Sequence, residues 1–246
     1  MKTKTVLIIF VFLTALSISL QALPVRWITT FDTDVYSYDE TAVRLEEVAI
    51  LRLNPVWTVV LKGEWEKAPA ETKTTGTAGL VFGLFPGSYM EVSYGLSVDD
   101  GKDVSHLVFT DLYYERPNLL LLLTHKLELN RDNITSLPGF GVKWGAMDRL
   151  SLWGKYTAAI DQTTGFDNSF WGETEYLIGA KFSVKAGGTV GTYHEDGDSP
   201  RSFEYSFLSG LGFTPRGGMR FSWQAAYLIR EEYNVFTNLL VADIRF

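Results

Sequence analysis

The chain has 246 residues, 46% of them apolar and 21% charged, enough to bury a sizeable core and too apolar for a disordered acidic tail. Cysteine is absent and histidine numbers three, which excludes a disulfide scaffold, a zinc finger, a thiol nucleophile and an iron–sulfur site. The formal net charge of -7 argues against nucleic acid as a partner, and the aromatics are plentiful at 16 Phe, 12 Tyr and 7 Trp.

The N-terminus carries Lys2 and Lys4, an apolar run from Val6 to Leu16, and a small polar stretch ahead of Gln21-Ala22. This is the pattern of a secretory signal peptide over residues 1–22, with cleavage expected after Ala22 and Ser19 as a competing site. The apolar run is shorter than the roughly 18 residues a spanning helix needs. The remainder, 23–246, has no purely apolar run longer than Leu119 to Leu123, so strands are its only means of crossing a membrane.

Strict alternation of apolar and polar residues recurs along 23–246. It gives strands at 25–36, 41–53, 56–66, 75–85, 88–98, 105–115, 119–130, 139–146, 150–160, 170–186, 189–194, 203–213, 219–230 and 235–246. The breaks take turns. Tight ones at Asn54-Pro55, Pro86-Gly87, Arg116-Pro117-Asn118, Met147-Asp148-Arg149, Gly187-Gly188 and Pro215 to Gly218 alternate with longer acidic ones, such as Lys67 to Thr75, Asp99 to Asp103 and Glu195 to Arg201. That rhythm places all tight turns at one end of the structure and all acidic loops at the other. Fourteen strands result, or twelve if the first and eleventh fail to span.

A soluble β-sandwich also alternates, with its apolar face inward. Two features favour a membrane barrel instead. The strands run about 10 to 12 residues, the length that crosses a bilayer at a tilt. Aromatics also gather near strand ends, among them Tyr36, Trp57, Trp65, Tyr89, Tyr114, Trp144, Trp171 and Phe213, where interfacial girdles would lie.

The last strand carries Leu240, Ala242, Ile244 and Phe246 at every second position, with Phe236 further back. It resembles the assembly signal of bacterial outer-membrane β-barrel proteins, which close on an aromatic residue. Ile244 stands where the family often has Tyr, and Asn238 interrupts the apolar face. The resemblance implies a closed, antiparallel, up-and-down transmembrane barrel in the bacterial outer membrane. Its partners would be outer-membrane lipid and, during assembly, the barrel-insertion machinery. In that family tight turns face the periplasm and longer loops face outside, and closure leaves no backbone amide unpaired in lipid.

A barrel of twelve or fourteen strands leaves a lumen that side chains do not fill completely. The expected function is therefore a small passive pore for solutes or ions, with no cofactor and no metal. Lys62, Glu64, Glu173, Glu175, Lys181, Glu204, Arg220 and Arg230 alternate with apolar neighbours and are candidates to line it. The inward charges sum to no net sign, so they also suit a salt-bridged interior without transport. A surface-binding barrel and a secreted sandwich are further alternatives, as is a hydrolase at the barrel rim. The rim reading rests on His106 beside Asp99, Asp100 and Asp103, and on His194 beside Glu195, Asp196 and Asp198. His125 lies in the Leu-rich strand, where a structural role is expected. The acidic loops lack the spacing of a calcium loop.

Overall fold

The computed structural model describes residues 25–38, 40–68, 71–100, 103–131, 133–163, 165–193, 202–231 and 233–246. The export signal expected over residues 1–22 and its expected cleavage site lie outside these residues, as do His194 and the acidic residues that follow it.

Fourteen antiparallel strands close on themselves in chain order. They are β1 (Val25–Tyr36), β2 (Thr41–Arg52), β3 (Trp57–Lys67), β4 (Thr72–Phe85), β5 (Ser88–Asp99), β6 (Asp103–Arg116), β7 (Leu119–Leu129), β8 (Ile134–Met147), β9 (Leu150–Asp161), β10 (Gly165–Ile178), β11 (Phe182–Tyr193), β12 (Ser202–Phe213), β13 (Met219–Ile229) and β14 (Asn234–Arg245). Each pairs with its sequence neighbour, and β14 returns to pair with β1 from Arg26↔Arg245 to Tyr36↔Val235. One circuit of the register returns to β1 displaced by about 14 residues, a shear that tilts the strands about 35° and sets the backbone walls about 26 Å apart.

The outer wall is apolar. Phe203, Phe207, Val190, Phe170, Leu123 and Leu240 share the outward parity and stay heavily exposed, with Phe207 at 65%. In water such a surface would aggregate, whereas in hydrocarbon it is solvated. No helix among the described residues is long and apolar enough to cross a membrane, so the strands are the spanning elements.

Several of the expected boundaries move. The tenth strand was expected over 170–186 with a tight turn at Gly187-Gly188, but β10 ends at Ile178 and the turn is 179–181, with Gly179 at φ +67°. A three-residue turn pairs Ile178 with Phe182, both of even number, so the alternation runs through the turn without a break. Gly187 and Gly188 lie inside β11, where the neighbouring strands come close. The connections at the acidic end are also shorter than expected, because β4 begins at Thr72, β8 at Ile134 and β10 at Gly165. The added residues, most of them polar, continue the backbone ladder above the apolar belt, where water accepts any side chain. Pro138 leaves a gap in the β8–β9 register between Ser136 and Gly139, as a residue without an N–H must.

Candidate functional site

The period of two that turns apolar residues outward turns the charges into the lumen. There they meet in pairs. Lys62 Nζ lies 2.8 Å from Glu46 and 3.3 Å from Glu64. Lys185 lies 2.9 Å from Glu173, and Arg230 Nη2 lies 2.8 Å from Glu204. Arg44 donates to Asp32 at 2.5 Å. At the seam, Arg26 grips Asp243 with two hydrogen bonds of 2.8 and 2.7 Å, which ties β1 to β14.

Two pairs skip strands and so cross a chord of the lumen. Arg220 on β13 reaches Glu175 on β10, passing over Gly212, while Lys73 on β4 reaches Glu128 on β7 at 3.9 Å. The first lies near the tight-turn end and the second near the acidic end.

Six of the eight residues singled out from the sequence for the lumen sit at inward strand positions, and Arg230 follows β13 directly with its guanidinium on Glu204. Lys181 does not: it lies exposed in the β10–β11 turn, because that turn, 179–181, precedes the glycine pair at 187–188 that the sequence suggested. On β14, Leu240, Ala242 and Ile244 share the outward face opposite Phe31, Thr29 and Trp27, and Phe246 follows the strand with 76% of its surface exposed.

Several side chains face opposite to expectation. Trp171 and Tyr89, read as girdle residues, point inward, where Trp171 meets Trp153 edge-on at 6.1 Å and Tyr89 stacks on Tyr113 at 4.5 Å. Tyr36 also turns inward, stacked on Tyr38 at the acidic end. Conversely, Glu47 lies on the outer wall. Trp27 Nε1 donates to Thr29 Oγ1 at 3.2 Å, which donates to Glu47 Oε2 at 2.9 Å, and Glu47 is 7% exposed. The signal was present in the sequence, since adjacent Glu46 and Glu47 on one strand cannot both face the lumen.

The residues of the rim hydrolase reading are not brought together. His106 Nδ1 hydrogen-bonds the Tyr94 hydroxyl at 2.6 Å on the outward face, away from Asp99 and Asp103. His125 is also outward, bonded to Ser136 at 2.9 Å. A cavity of about 340 Å³ opens at the acidic end between the β3–β4, β5–β6 and β7–β8 connections, lined by Glu71, Lys73, Asp99, Asp103, Glu128 and Asn133. Within it a hydrogen bond to Asp99 holds the Glu71 carboxyl above the usual carboxylate range, with burial acting in the same direction. Among the described residues no group of three or more His, Asp or Glu side chains is arranged to hold a metal ion.

A closed antiparallel sheet with an apolar outside and an ionised inside is a transmembrane β-barrel, and its fold is that of the bacterial outer-membrane barrels. The CymD monoaromatic hydrocarbon channel superposes with a TM-score of 0.63 at 8% identity, over 91% of this chain and 87% of that one. An outer-membrane channel from Pseudomonas putida F1, described as COG4313, gives 0.57 at 10% identity over 92% and 97%. OmpT, an outer membrane protein of Vibrio cholerae in its trimer form, gives 0.57 at 8% identity over 92% and 99%. At such identities the likeness is one of fold. No protein-family model matches the sequence, and a comparison with curated proteins returns no match.

Proposed function

We propose that the chain is exported by its N-terminal segment, inserts into the bacterial outer membrane and forms a passive pore for small solutes and ions. The observation that carries this reading is a closed wall about 26 Å across, lined by ionised side chains. Among the described residues the longest connection is the five-residue 214–218, too short to fold back as a plug. The likeness to the CymD channel and to the Pseudomonas putida channel supports the same reading. We read the barrel as a conduit and not a catalyst, since His106 is engaged by Tyr94 on the outer wall, away from the carboxylates at the mouth.

The test is reconstitution of the full chain in planar bilayers. Discrete conductance steps are the expected result. Protein that is folded, shown by a band shift between unheated and boiled gel samples, yet never conducts would overturn the pore and favour the salt-bridged, purely structural barrel.

A further inference from the structure

The inward charges are not spread evenly along the barrel axis. Of the two inward positions of each strand nearest the acidic loops, nine hold carboxylates and three hold cations, with Asp34, Glu66, Asp99, Asp103 and Asp161 among the nine. Of the two nearest the tight turns, six hold cations and four hold carboxylates, with Arg26, Arg52, Lys185, Arg220 and Arg245 among the six. The connections extend the same bias. Among the described residues, those at the acidic end carry Glu40, Glu71, Asp100 and Glu231 against Arg131 and Arg230, and those at the tight-turn end carry Arg149, Lys181 and Arg216 against Asp148.

Local ion pairs do not cancel the bias. Asp34, Glu66, Asp99 and Asp103 have no cation within 4.0 Å among the described residues, and Arg52 and Arg245 have no carboxylate within that distance. Inward positions at opposite ends of one strand, such as Arg26 and Asp34 on β1, are separated by about 22 Å along the barrel axis at the strand tilt. At 0.1 M salt the Debye length is about 10 Å, comparable to the radius of a lumen whose backbone walls stand about 26 Å apart. Each end therefore fills with its own counter-ions, cations at the acidic mouth and anions at the tight turns.

We infer that the lumen is a rectifying ion path, which passes current more readily when the acidic mouth is held positive. With that polarity cations enter through the end that concentrates cations and anions through the end that concentrates anions, so both accumulate at mid-height and conductance rises. The reverse polarity draws both kinds of ion out of the middle and leaves it depleted. The inference rests on the pore reading, because it needs an open lumen, and adds a preferred direction of ion flow to it. A lumen with the same charges mixed at every height would enrich neither end and would conduct alike in both directions.

The test is single-channel recording from the full-length protein in planar bilayers, in KCl at 0.1 M and at 1 M. At 0.1 M the current at one polarity should exceed that at the other about two-fold, and at 1 M, where the Debye length is about 3 Å, the ratio should fall to about one. The chain has no cysteine, so Glu40→Cys at the acidic end, labelled from one chamber by a thiol-reactive polymer too wide for the lumen, shows which chamber faces the acidic mouth. The larger current should flow with that chamber positive. Glu66→Gln with Asp99→Asn and Asp103→Asn should lower the ratio and move the reversal potential in a KCl gradient toward anion selectivity, whereas Arg52→Gln with Arg245→Gln should lower the ratio and move it toward cation selectivity. The salt dependence of wild type needs no variant to fold. A linear current–voltage curve in conducting wild type at 0.1 M, an asymmetry that survives at 1 M, the opposite polarity, or variants that shift selectivity alike would overturn the polarised lumen while the pore stands. Folded protein that never conducts would overturn the pore reading and the rectification with it.

Discussion

Gly188→Ala should be the most damaging alanine substitution on β11. A Cβ built at Gly188 lies 2.1 Å from the carbonyl oxygen of Ser206 on β12, and one at Gly187 lies 2.2 Å from the carbonyl oxygen of Gly172 on β10. An ordinary carbon–oxygen contact is about 3.3 Å, so the strands must part by about 1 Å, more than a ladder hydrogen bond tolerates. Overpacking costs about 1–3 kcal/mol and a weakened ladder bond about 1 kcal/mol, which gives a loss of about 2–4 kcal/mol. Gly63 is the control, since a Cβ there meets nothing within 4 Å. Gly63→Ala should be neutral or should gain about 0.4–1 kcal/mol from a less flexible unfolded chain. The assay is urea unfolding in lipid vesicles, followed by tryptophan emission and by unheated gel mobility. A Gly188→Ala barrel as stable as Gly63→Ala would refute the reasoning and return Gly187-Gly188 to the role of a turn.

Glu71→Gln should abolish a pH step at the mouth. In wild type the bond to Asp99 exists while Glu71 is protonated, so it is present in acid and lost as pH rises past the usual carboxylate range; cation selectivity should increase over that window, and the amide variant should show no such change. Arg220→Ala and Glu128→Ala each untie a chord of the lumen and should raise single-channel conductance, at a stability cost of only about 0.5–1 kcal/mol because the pairs are partly solvated; unchanged conductance would show that the chords do not narrow the path. Glu47→Gln keeps an acceptor for Thr29 and should stay within about 1 kcal/mol of wild type, whereas Glu47→Lys should lose about 2–4 kcal/mol in vesicle unfolding, and equal effects would argue against an outward position.

The strand number and the closure were legible in the sequence because lipid on one side and water on the other enforce a period of two. The same rule hid the β10–β11 turn. Ile178 and Phe182 keep their parity across three residues, so the pattern carries no mark where the chain reverses, and the nearby glycine pair supplied a false one. Tryptophan misled for a related reason. Trp171 lies on the inward parity of β10, but a residue type associated with membrane interfaces drew attention to height along the barrel and away from face. The pair of Arg220 and Glu175 was visible only as two members of a balanced list of charges. Which charges neutralise one another depends on rotamers and on pairs that skip strands, and neither is written in alternation.

Every strand pairing but one joins neighbours in sequence, and the exception is the seam where Arg26 meets Asp243 across 217 positions. Hairpins can therefore form one after another at little entropic cost, while the seam waits for all of them. Until it closes, the outer edges of β1 and β14 are both adhesive, open to each other or to any other strand in the membrane. The doubly bonded arginine lies on the lumen side of that junction, beyond the reach of lipid, so it rewards only the partner that completes the ring. The seam is thus the one junction whose strands are distant in sequence, and its side-chain bond joins the first strand to the last.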